Sequence, residues 1–382
     1  MRQAFIYLFV FLFVNQACAQ DTLYARQVIK YLTSESCLGR GYVKKGLQTA
    51  EAYICHELKQ NKLQPLFGKS FTQSFFHPVN TFPKACELSV NGKKLVPGLD
   101  FIVDPSSCSM TGTFKLQSID STHFIQVEGS KNISLSFKDK LTYSVGRKES
   151  NFCGFELDRA RFKEMPKDLV VNVQNKFIPH FKSKNIGAFI AGTGSSDSCI
   201  VFSAHYDHLG AMGKRTFFPG ANDNASGVSF VLNLMNYYVT HPPKYKTVFL
   251  LFAGEEAGLL GSQFFVESKA LDLKKIKFLI NLDLLGTGSD GIMVVNGALY
   301  EKEFKRLHGI NATQNLLKEI KKRGKAANSD HYWFSEAGVP CFFIYTMGGI
   351  KAYHDVFDIA KTLPLTKYVD VFKLLVDFTA GF

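Results

Sequence analysis

Beyond its first 20 residues, the 382-residue sequence has no apolar run long enough to cross a bilayer, which takes about 20 residues. It also has no internal repeats and no low-complexity segments, which argues against a fibrous or disordered chain. With 46% hydrophobic and 20% charged residues, the composition is that of an ordinary folded protein that can bury a large core. The length alone predicts about two domains.

The first residues have the pattern of a secretory signal peptide. A basic start at Arg2 precedes 11 apolar residues, Ala4 to Val14, and small residues follow at Ala17 and Ala19. This pattern predicts cleavage after residue 19 and export to the periplasm or the medium. A lipid anchor at Cys18 is disfavoured because the residues before it make a poor lipobox. The 11-residue run is too short for a membrane anchor.

Spacings typical of redox, zinc-ribbon and dinucleotide-binding motifs are missing. No two of the eight cysteines form a CxxC pair, and removal of Cys18 leaves an odd number, so at least one stays unpaired. We expect most of them to be buried apolar residues, with room for one disulfide bridge. The glycines at 192 and 194 lack the third glycine of a dinucleotide loop and indicate a turn.

The net charge of +12 raises the question of nucleic-acid binding. The densest basic run, Lys318 to Lys325, is predicted to end a helix, where cations are favoured by the helix dipole and usually face solvent. We therefore expect no nucleic-acid partner. Attraction to acidic peptides or to an anionic surface is the milder inference.

The pattern of predicted secondary structure changes twice along the chain. Asp21–Leu32 and Lys45–Leu58 have the apolar periodicity of helices. Residues 82–180 are predicted to form a β-rich insertion or lid, since Glu87–Leu95 contains an Asn-Gly hairpin turn and Val170–Val173 is a short strand. Residues 20–81 and 181–382 are assigned to one catalytic domain.

From Asn185 onward, short apolar strands alternate with helices. The strands are predicted at Ile186–Ile190, Ile200–Ala204, Thr247–Phe252, Ile276–Ile280, Ile292–Val295 and Cys341–Tyr345. The helices are predicted at Ser226–Val239, Leu259–Ser268, Lys302–Lys322 and Leu365–Phe378. Such alternation predicts an α/β fold with a mixed, mostly parallel central sheet flanked by helices.

Possible metal ligands follow the ends of the predicted strands. They are His205, Asp223, Glu256, Asp283 and His354. Open α/β sheets bind ligands at this edge, and nitrogen and oxygen donors suit zinc. A carboxylate at Asp223 can bridge two metals about 3.5 to 4 Å apart. His205 and Asp283 could then complete one site, and Glu256 with His354 the other.

Two further carboxylates are predicted to support this chemistry. Glu255, next to Glu256, is the candidate general base that passes a proton to the leaving amine. Asp207 is expected to accept the second imidazole N–H of His205. Taken alone, each acid has a simpler explanation: Asp223 as a helix N-cap, and Glu255 with its neighbour as a solvated helix start. The conjunction of all of them at one sheet edge favours the metal site.

The order of the motifs resembles a known enzyme family. The chain contains H-x-D-H-L-G (205–210), P-G-A-N-D-N-A-S-G (219–227), G-E-E-x-G-L-x-G-S (254–262), N-x-D-x-x-G (281–286) and Y-H-D-x-x-D (353–358). This set resembles the bacterial di-zinc aminopeptidases, which are relatives of aminopeptidase S and of glutaminyl cyclase. The resemblance covers about residues 185–382, and a weaker similarity covers residues 32–58.

The resemblance implies two zinc ions per chain, held by the five ligands above, with Glu255 as base. It also implies a cis peptide after Asp223, a carbonyl-polarising role for Tyr353, and a pocket-lining role for Asp330 within Ser-Asp-His. The sequence departs from the family at Asp355, where many members have Thr or Ser, and at Asn224, where many have Asp.

Three functions fit the sequence. The first is an exported zinc aminopeptidase acting on peptides with a free N-terminus. The second is a glutaminyl-peptide cyclotransferase with one zinc, and the third is a non-catalytic peptide-binding module. Retention of the five ligands and of Glu255 favours the aminopeptidase. Residue preference, oligomeric state and the pairing of the cysteines stay open.

Overall fold

The computed structural model describes residues 22–127 and 132–382. The predicted signal peptide and the lipidation alternative at Cys18 lie outside these residues. Within them, no helix is both long and apolar enough to cross a membrane.

Seven α-helices lie in the described residues, and short helical turns connect several of them. The helices are α1 Thr22–Leu32, α2 Gly46–Gln60, α3 Gly227–Thr240, α4 Leu260–Ser268, α5 Glu301–Gln314, α6 His331–Glu336 and α7 Tyr368–Ala380. The first two helices confirm the prediction made from the apolar periodicity of the sequence. Their buried faces, which include Val28 and Leu47, join the core beneath the main sheet.

The main sheet has its parallel strands at the centre. Its strands are β1 Gln64–Pro65, β2 Thr72–Thr81, β11 Lys176–Ile190, β12 Cys199–His205, β15 Lys246–Phe252, β16 Ile276–Leu282, β17 Gly291–Val295, β18 Ile320–Lys322 and β19 Cys341–Met347. The order is β1-β11-β15-β12-β16-β19-β17-β18, and β2 also pairs with β11. The neighbouring strands β15, β12, β16 and β19 are paired in parallel. Strand β11 pairs antiparallel with β15, and β17 pairs antiparallel with β19. The mixed α/β class predicted from the sequence is confirmed.

A second sheet of eight strands follows from the β-rich part of the sequence. Its strands are β3 Cys86–Val90, β4 Lys93–Leu95, β5 Phe101–Val103, β6 Met110–Ser118, β7 His123–Gln126, β8 Asn132–Lys138, β9 Phe152–Asp158 and β10 Asp168–Val173. The order is β4-β3-β10-β6-β7-β8-β9-β5. The predicted hairpin is present, since Leu88 pairs with Leu95 around Asn91 and Gly92, both at positive φ. The remaining two strands, β13 Ala211–Met212 and β14 Thr216–Phe217, form a short hairpin with two residues in each strand.

The two sheets are physically joined. The long strands β2 and β11 pair with each other and lead into and out of the second sheet. In addition, Leu209, Met212 and Phe218, which belong to the loops of the main sheet, are buried in the apolar cluster of the second sheet. The β-rich part therefore packs directly on the loops that surround the strand ends.

One predicted helix was too long. Helix α5 ends at Gln314, and Ile320–Lys322 is the edge strand β18 rather than the end of a helix. Asn315 takes a left-handed conformation that ends the helix, and the Asn311 side chain bonds both backbone groups of Leu317. Ile320 is buried and its lysine neighbours are exposed. The basic run therefore includes an edge strand, β18, whose exposed lysines discourage further pairing.

Candidate metal centre

The strand ends of the main sheet converge on one cavity of about 300 Å³, lined by five predicted ligands and Glu255. Strand β12 ends at His205, β16 leads directly to Asp283, and β15 leads to Glu255 and Glu256. Asp223 lies in the helical turn Ala221–Ser226 that precedes α3. His354 comes from the irregular segment after β19. Because the central strands are parallel, their carboxyl ends all meet at this edge.

Two clusters share the carboxylate of Asp223. In the first, His205 Nε2 lies 3.3 Å from Asp223 Oδ1 and 3.4 Å from Asp283 Oδ2. In the second, His354 Nε2 lies 3.1 Å from Asp223 Oδ2 and 3.3 Å from Glu256 Oε2. Each histidine thus faces a different oxygen of the same carboxylate, the arrangement expected of a bridging ligand. The peptide bond after Asp223 is cis, as the resemblance implied.

The donor set fits zinc. His205, Asp223 and Asp283 each offer one ligand atom, and these atoms lie within 4.8 Å of one another. Imidazole nitrogen and carboxylate oxygen are ordinary zinc ligands. Among the described residues, Asp283 Oδ1 is buried without a hydrogen-bond partner, and such an atom calls for an ion or water. Four carboxylates around one small cavity also need a compensating positive charge.

The carboxylates of the cavity strongly perturb one another. Burial raises the pKa of Glu255 well above its ordinary value, and the nearby carboxylates of Glu256 and Asp330 raise it further. Burial opposes ionisation of Asp223 as well, but hydrogen bonds from His205 and His354 hold the pKa of Asp223 well below its usual range. The surroundings therefore push the pKa values of these two acids in opposite directions.

The prediction for Asp207 needs a correction. The Nδ1 atom of His205 lies 3.2 Å from the backbone carbonyl of Asp207 and 3.7 Å from its carboxylate. The carboxylate instead accepts the Tyr42 hydroxyl at 2.5 Å and the backbone N–H groups of Glu255 and Glu256 at 3.3 Å. Asp207 is fully buried, so its charge is held by these donors. It fixes the chain that carries two site residues as well as the imidazole.

His208 is a buried residue that the sequence analysis did not single out. Its Nδ1 lies 2.6 Å from Glu256 Oε1, so the imidazole holds one oxygen of Glu256 while the other faces His354. His208, Asp223 and Glu256 also have ligand atoms within 4.8 Å of one another. The second histidine of the H-x-D-H-L-G motif was the available signal. His208 orients the Glu256 carboxylate through the oxygen that does not face His354.

Arg40 was also missed, although it lies in the weaker N-terminal motif. Its guanidinium is fully buried and donates to the carbonyls of Tyr206, Leu32, Pro219, Gly220 and Asp223 at 2.7 to 3.1 Å. From the opposite side, the Asp358 carboxylate accepts the N–H groups of Asn222 and Asp223 at 2.8 and 2.9 Å. The turn that carries Asp223 is therefore bonded on both sides.

The remaining predicted residues differ in position. Tyr353 lines the cavity, and its ring stacks on that of His354 with centroids 4.0 Å apart. Asp330 is fully buried and does not line the cavity, whereas Asn328 does. Burial raises the pKa of Asp330 to about 7. Asp330 stands at the N-cap position of α6, and its role in the pocket stays a prediction.

The profile of Peptidase family M28 matches residues 185–379. A probable leucine aminopeptidase from Arthroderma otae is 30% identical over 208 residues, covering 52% of this chain and 57% of the relative. Aminopeptidase YwaD from Bacillus subtilis is 30% identical over 143 residues, covering 37% of this chain and 30% of the relative. The chain thus spans less than two thirds of the length of these curated relatives.

Solved structures show the same fold. The zinc aminopeptidase BSAP from Bacillus subtilis has a TM-score of 0.68 at 20% identity, covering 94% of this chain and 95% of that one. A peptidase M28 precursor from Shewanella amazonensis has a TM-score of 0.69 at 14% identity, covering 95% and 94%. At these identities the likeness concerns the fold, including the second sheet, and not the chemistry.

Proposed function

The chain belongs to peptidase family M28, and from this premise we propose that it is an exported zinc aminopeptidase acting on peptides with a free N-terminus. The observation that carries the proposal is the shared carboxylate of Asp223. Its two oxygens face His205 and His354 at 3.3 and 3.1 Å, and Glu255 lines the same cavity.

The proposed ligands divide into two sets of three. Asp223 belongs to both, His205 and Asp283 complete the first, and Glu256 and His354 complete the second. Zinc bound there supplies Lewis acidity, which polarises a carbonyl and lowers the pKa of water. The chain's own part is to hold the five donors rigidly, with His208 and Asp207 bonded behind them.

Glu255 is the proposed proton carrier. It lines the cavity and is not one of the five proposed ligands, and burial raises its pKa well above the ordinary value. In its ionised form, this carboxylate can take a proton from water and return it to the leaving amine. Tyr353, exposed at the mouth of the cavity, is the proposed partner of the substrate carbonyl. The cavity of about 300 Å³ has room for one terminal residue.

The proposal also covers how the chain is divided into segments. Residues 1–19 are the proposed signal peptide, and residues 82–180 are a β-rich unit inserted into a catalytic domain of residues 20–81 and 181–382. The mature protein is expected in the periplasm or the medium. The N-terminal residue of the purified protein, read by mass spectrometry, tests the cleavage after Ala19.

The first experiment measures zinc per chain while assaying aminoacyl and glutaminyl peptides with and without a chelator. Two zinc ions per chain and chelator-sensitive release of the N-terminal residue support the aminopeptidase. One zinc ion with a pyroglutamyl product would instead assign the chain to the cyclotransferases. Zinc and peptide binding without any product would identify a binding module.

The role of Glu255 has its own test. We expect Glu255→Gln to lower kcat by about 10²- to 10⁴-fold, because an amide cannot carry the proton. The zinc content should stay at two per chain, since Glu255 is not a proposed ligand. Glu267→Gln, at an exposed position on α4, is the matched control and should keep full activity. Retention of more than a tenth of the kcat by Glu255→Gln would contradict the assignment.

A further inference from the structure

The segment that carries Tyr353 and His354 has no regular structure to hold it. We refer to residues 348–359, between β19 and the next helical turn, as the ligand loop. An irregular backbone leaves N–H and C=O groups that need partners. In this loop, several partners come from the β-rich sheet, through residues 139–147 between β8 and β9, here termed the strap.

Lys140 of the strap contacts three acceptors on alternate residues of the ligand loop. Its ammonium donates to the carbonyls of Lys351 at 3.0 Å and Tyr353 at 3.1 Å, and it lies 3.3 Å from Asp355 Oδ2. Two of the three N–H donors of the ammonium are thus bonded to carbonyls of this loop, and the Asp355 carboxylate adds an ion pair. A surface ion pair by itself contributes little, but this one closes three successive contacts along the loop that carries His354.

Asp355 is the charged partner of Lys140 on the ligand loop. Its carboxylate is buried, and besides Lys140 it accepts the backbone N–H groups of Phe357 at 2.9 Å and Tyr353 at 3.3 Å. A buried carboxylate two residues from Tyr353 requires a counter-charge. Lys140, contributed by the other sheet, supplies it.

Tyr143, also on the strap, makes direct contact with His354. The Tyr143 N–H donates to the His354 carbonyl at 2.9 Å, and His354 Nδ1 lies 3.1 Å from the Tyr143 carbonyl. That second contact assigns the Nδ1 proton to His354 and leaves Nε2 toward Asp223 and Glu256. The Tyr143 ring is anchored by stacking on Phe218, with centroids 4.7 Å apart.

We propose that Lys140 is a positioning residue of the metal centre: paired with Asp355, it holds the ligand loop so that His354 and Tyr353 face the cavity. The proposal rests on the proposed zinc site. It gives the β-rich sheet a role in building the site, through a pair of opposite charges between the strap and the ligand loop. The pair acts on the His354 side of the centre and not on the side of His205 and Asp283.

The test compares Lys140→Met with Lys138→Met. Lys138 makes an ion pair of the same length, 3.3 Å to Glu156, and its side chain is 45% exposed against 47% for Lys140. It lies on β8 and, among the described residues, makes no contact with the ligand loop. Circular dichroism and thermal unfolding verify that each full-length variant folds.

The main readout is metal affinity, measured by stepwise zinc titration of the metal-free protein against a chromophoric chelator. Loss of a residue that orients a metal ligand typically costs about 10- to 100-fold in affinity. We expect Lys140→Met to weaken one of two binding steps by about 10-fold or more and to leave the other within about 2-fold. The absorption spectrum of the cobalt(II)-substituted protein should change as well. Lys138→Met should match the wild type in both.

Two further variants test whether the pair acts as a unit. Lys140→Arg keeps the charge and should restore most of the affinity. In an Asp355→Ser background, Lys140→Met should change the logarithm of the zinc affinity by less than half as much as it does in the wild-type background. Equal effects in the two backgrounds would show that the pair does not act together and would overturn the proposal.

The outcomes separate this inference from the proposed function. If the wild type binds two zinc ions and cleaves peptides while Lys140→Met behaves like Lys138→Met, the positioning role is wrong and the aminopeptidase stands. If both binding steps weaken equally, Lys140 acts on general stability and the positioning role is also wrong. If the wild type cleaves no peptide but one binding step still depends on Lys140, the positioning role stands and the proposed activity falls.

Discussion

Arg40 shows how a residue outside the cavity can determine the geometry within it. Its guanidinium has no exposed surface and donates to five backbone carbonyls, three of them at Pro219, Gly220 and Asp223. The planar fork of an arginine can serve several acceptors at once, which a lysine ammonium cannot do over the same spread. Removing it would leave buried carbonyls without donors beside a cluster of carboxylates.

We expect Arg40→Met to lower the free energy of unfolding by about 3 kcal/mol or more, because each buried carbonyl left without a donor costs about 1 to 3 kcal/mol. The measurement is chemical denaturation, comparing midpoints at an unchanged slope. Arg215→Met is the control, since Arg215 is exposed on the β13–β14 hairpin and, among the described residues, forms no ion pair. Equal midpoints for the two variants would contradict the role given to Arg40.

At the level of elements, the N-terminal motif packs against the loop after β12 by backbone contact. A Cβ atom built on Gly41 would lie 2.3 Å from the Cα of Gly210 and 2.4 Å from its nitrogen. The neighbouring Gly210 N–H donates to the Gly39 carbonyl at 3.0 Å. Backbone atoms cannot rotate away as a side chain can, so this approach requires glycine. It brings Arg40 to the turn of Asp223.

We expect Gly41→Ala to destabilise the protein by about 1 to 3 kcal/mol, the usual cost of overpacking, and to weaken zinc binding at the same time. Gly309→Ala is a matched control, because Gly309 lies on the exposed face of α5 and a Cβ there meets nothing within 4 Å. On a helix this change should stabilise by about 0.5 to 1 kcal/mol. Thermal unfolding and chelator competition measure both effects, and a neutral Gly41→Ala would refute the close approach.

For the whole molecule, the two sheets share buried surface at the site. Leu209, Met212 and Phe218 flank metal-site segments of the main sheet but are buried in the apolar cluster of the second sheet. The strap adds the contacts of Lys140 and Tyr143 with the ligand loop. Separation of the sheets would expose these apolar side chains, at about 25 cal/mol per Å² of apolar area.

We therefore expect the two sheets to unfold together. The sequence has one tryptophan, Trp333 on α6 of the main sheet's domain, so its fluorescence follows that part alone. Far-UV ellipticity follows both sheets. In denaturant the two signals should give the same midpoint and slope, the test of a two-state transition. An ellipticity change that precedes or follows the fluorescence change would show that the β-rich sheet unfolds as a separate unit.

The sequence by itself determined the fold class, most strands of the main sheet and the residues at their ends. This was possible because buried parallel strands are continuous apolar runs, and because the proposed ligands at the strand ends follow such runs directly, as His205 and Asp283 do. Local turn chemistry was equally informative, as in the Asn91–Gly92 hairpin. The length of α5 was misjudged, because Asn315 ends the helix without breaking the apolar pattern.

Only the tertiary structure decided which groups hold the site residues. Arg40 and Asp223 are 183 positions apart, and Lys140 and Tyr353 are 213 apart, so no local periodicity connects them. The acceptor of the His205 imidazole and the burial of Asp330 likewise depend on chain directions that the sequence does not encode locally. Ligand identity follows from the chemistry of single residues, whereas their orientation depends on contacts between distant segments that form only when both sheets are folded.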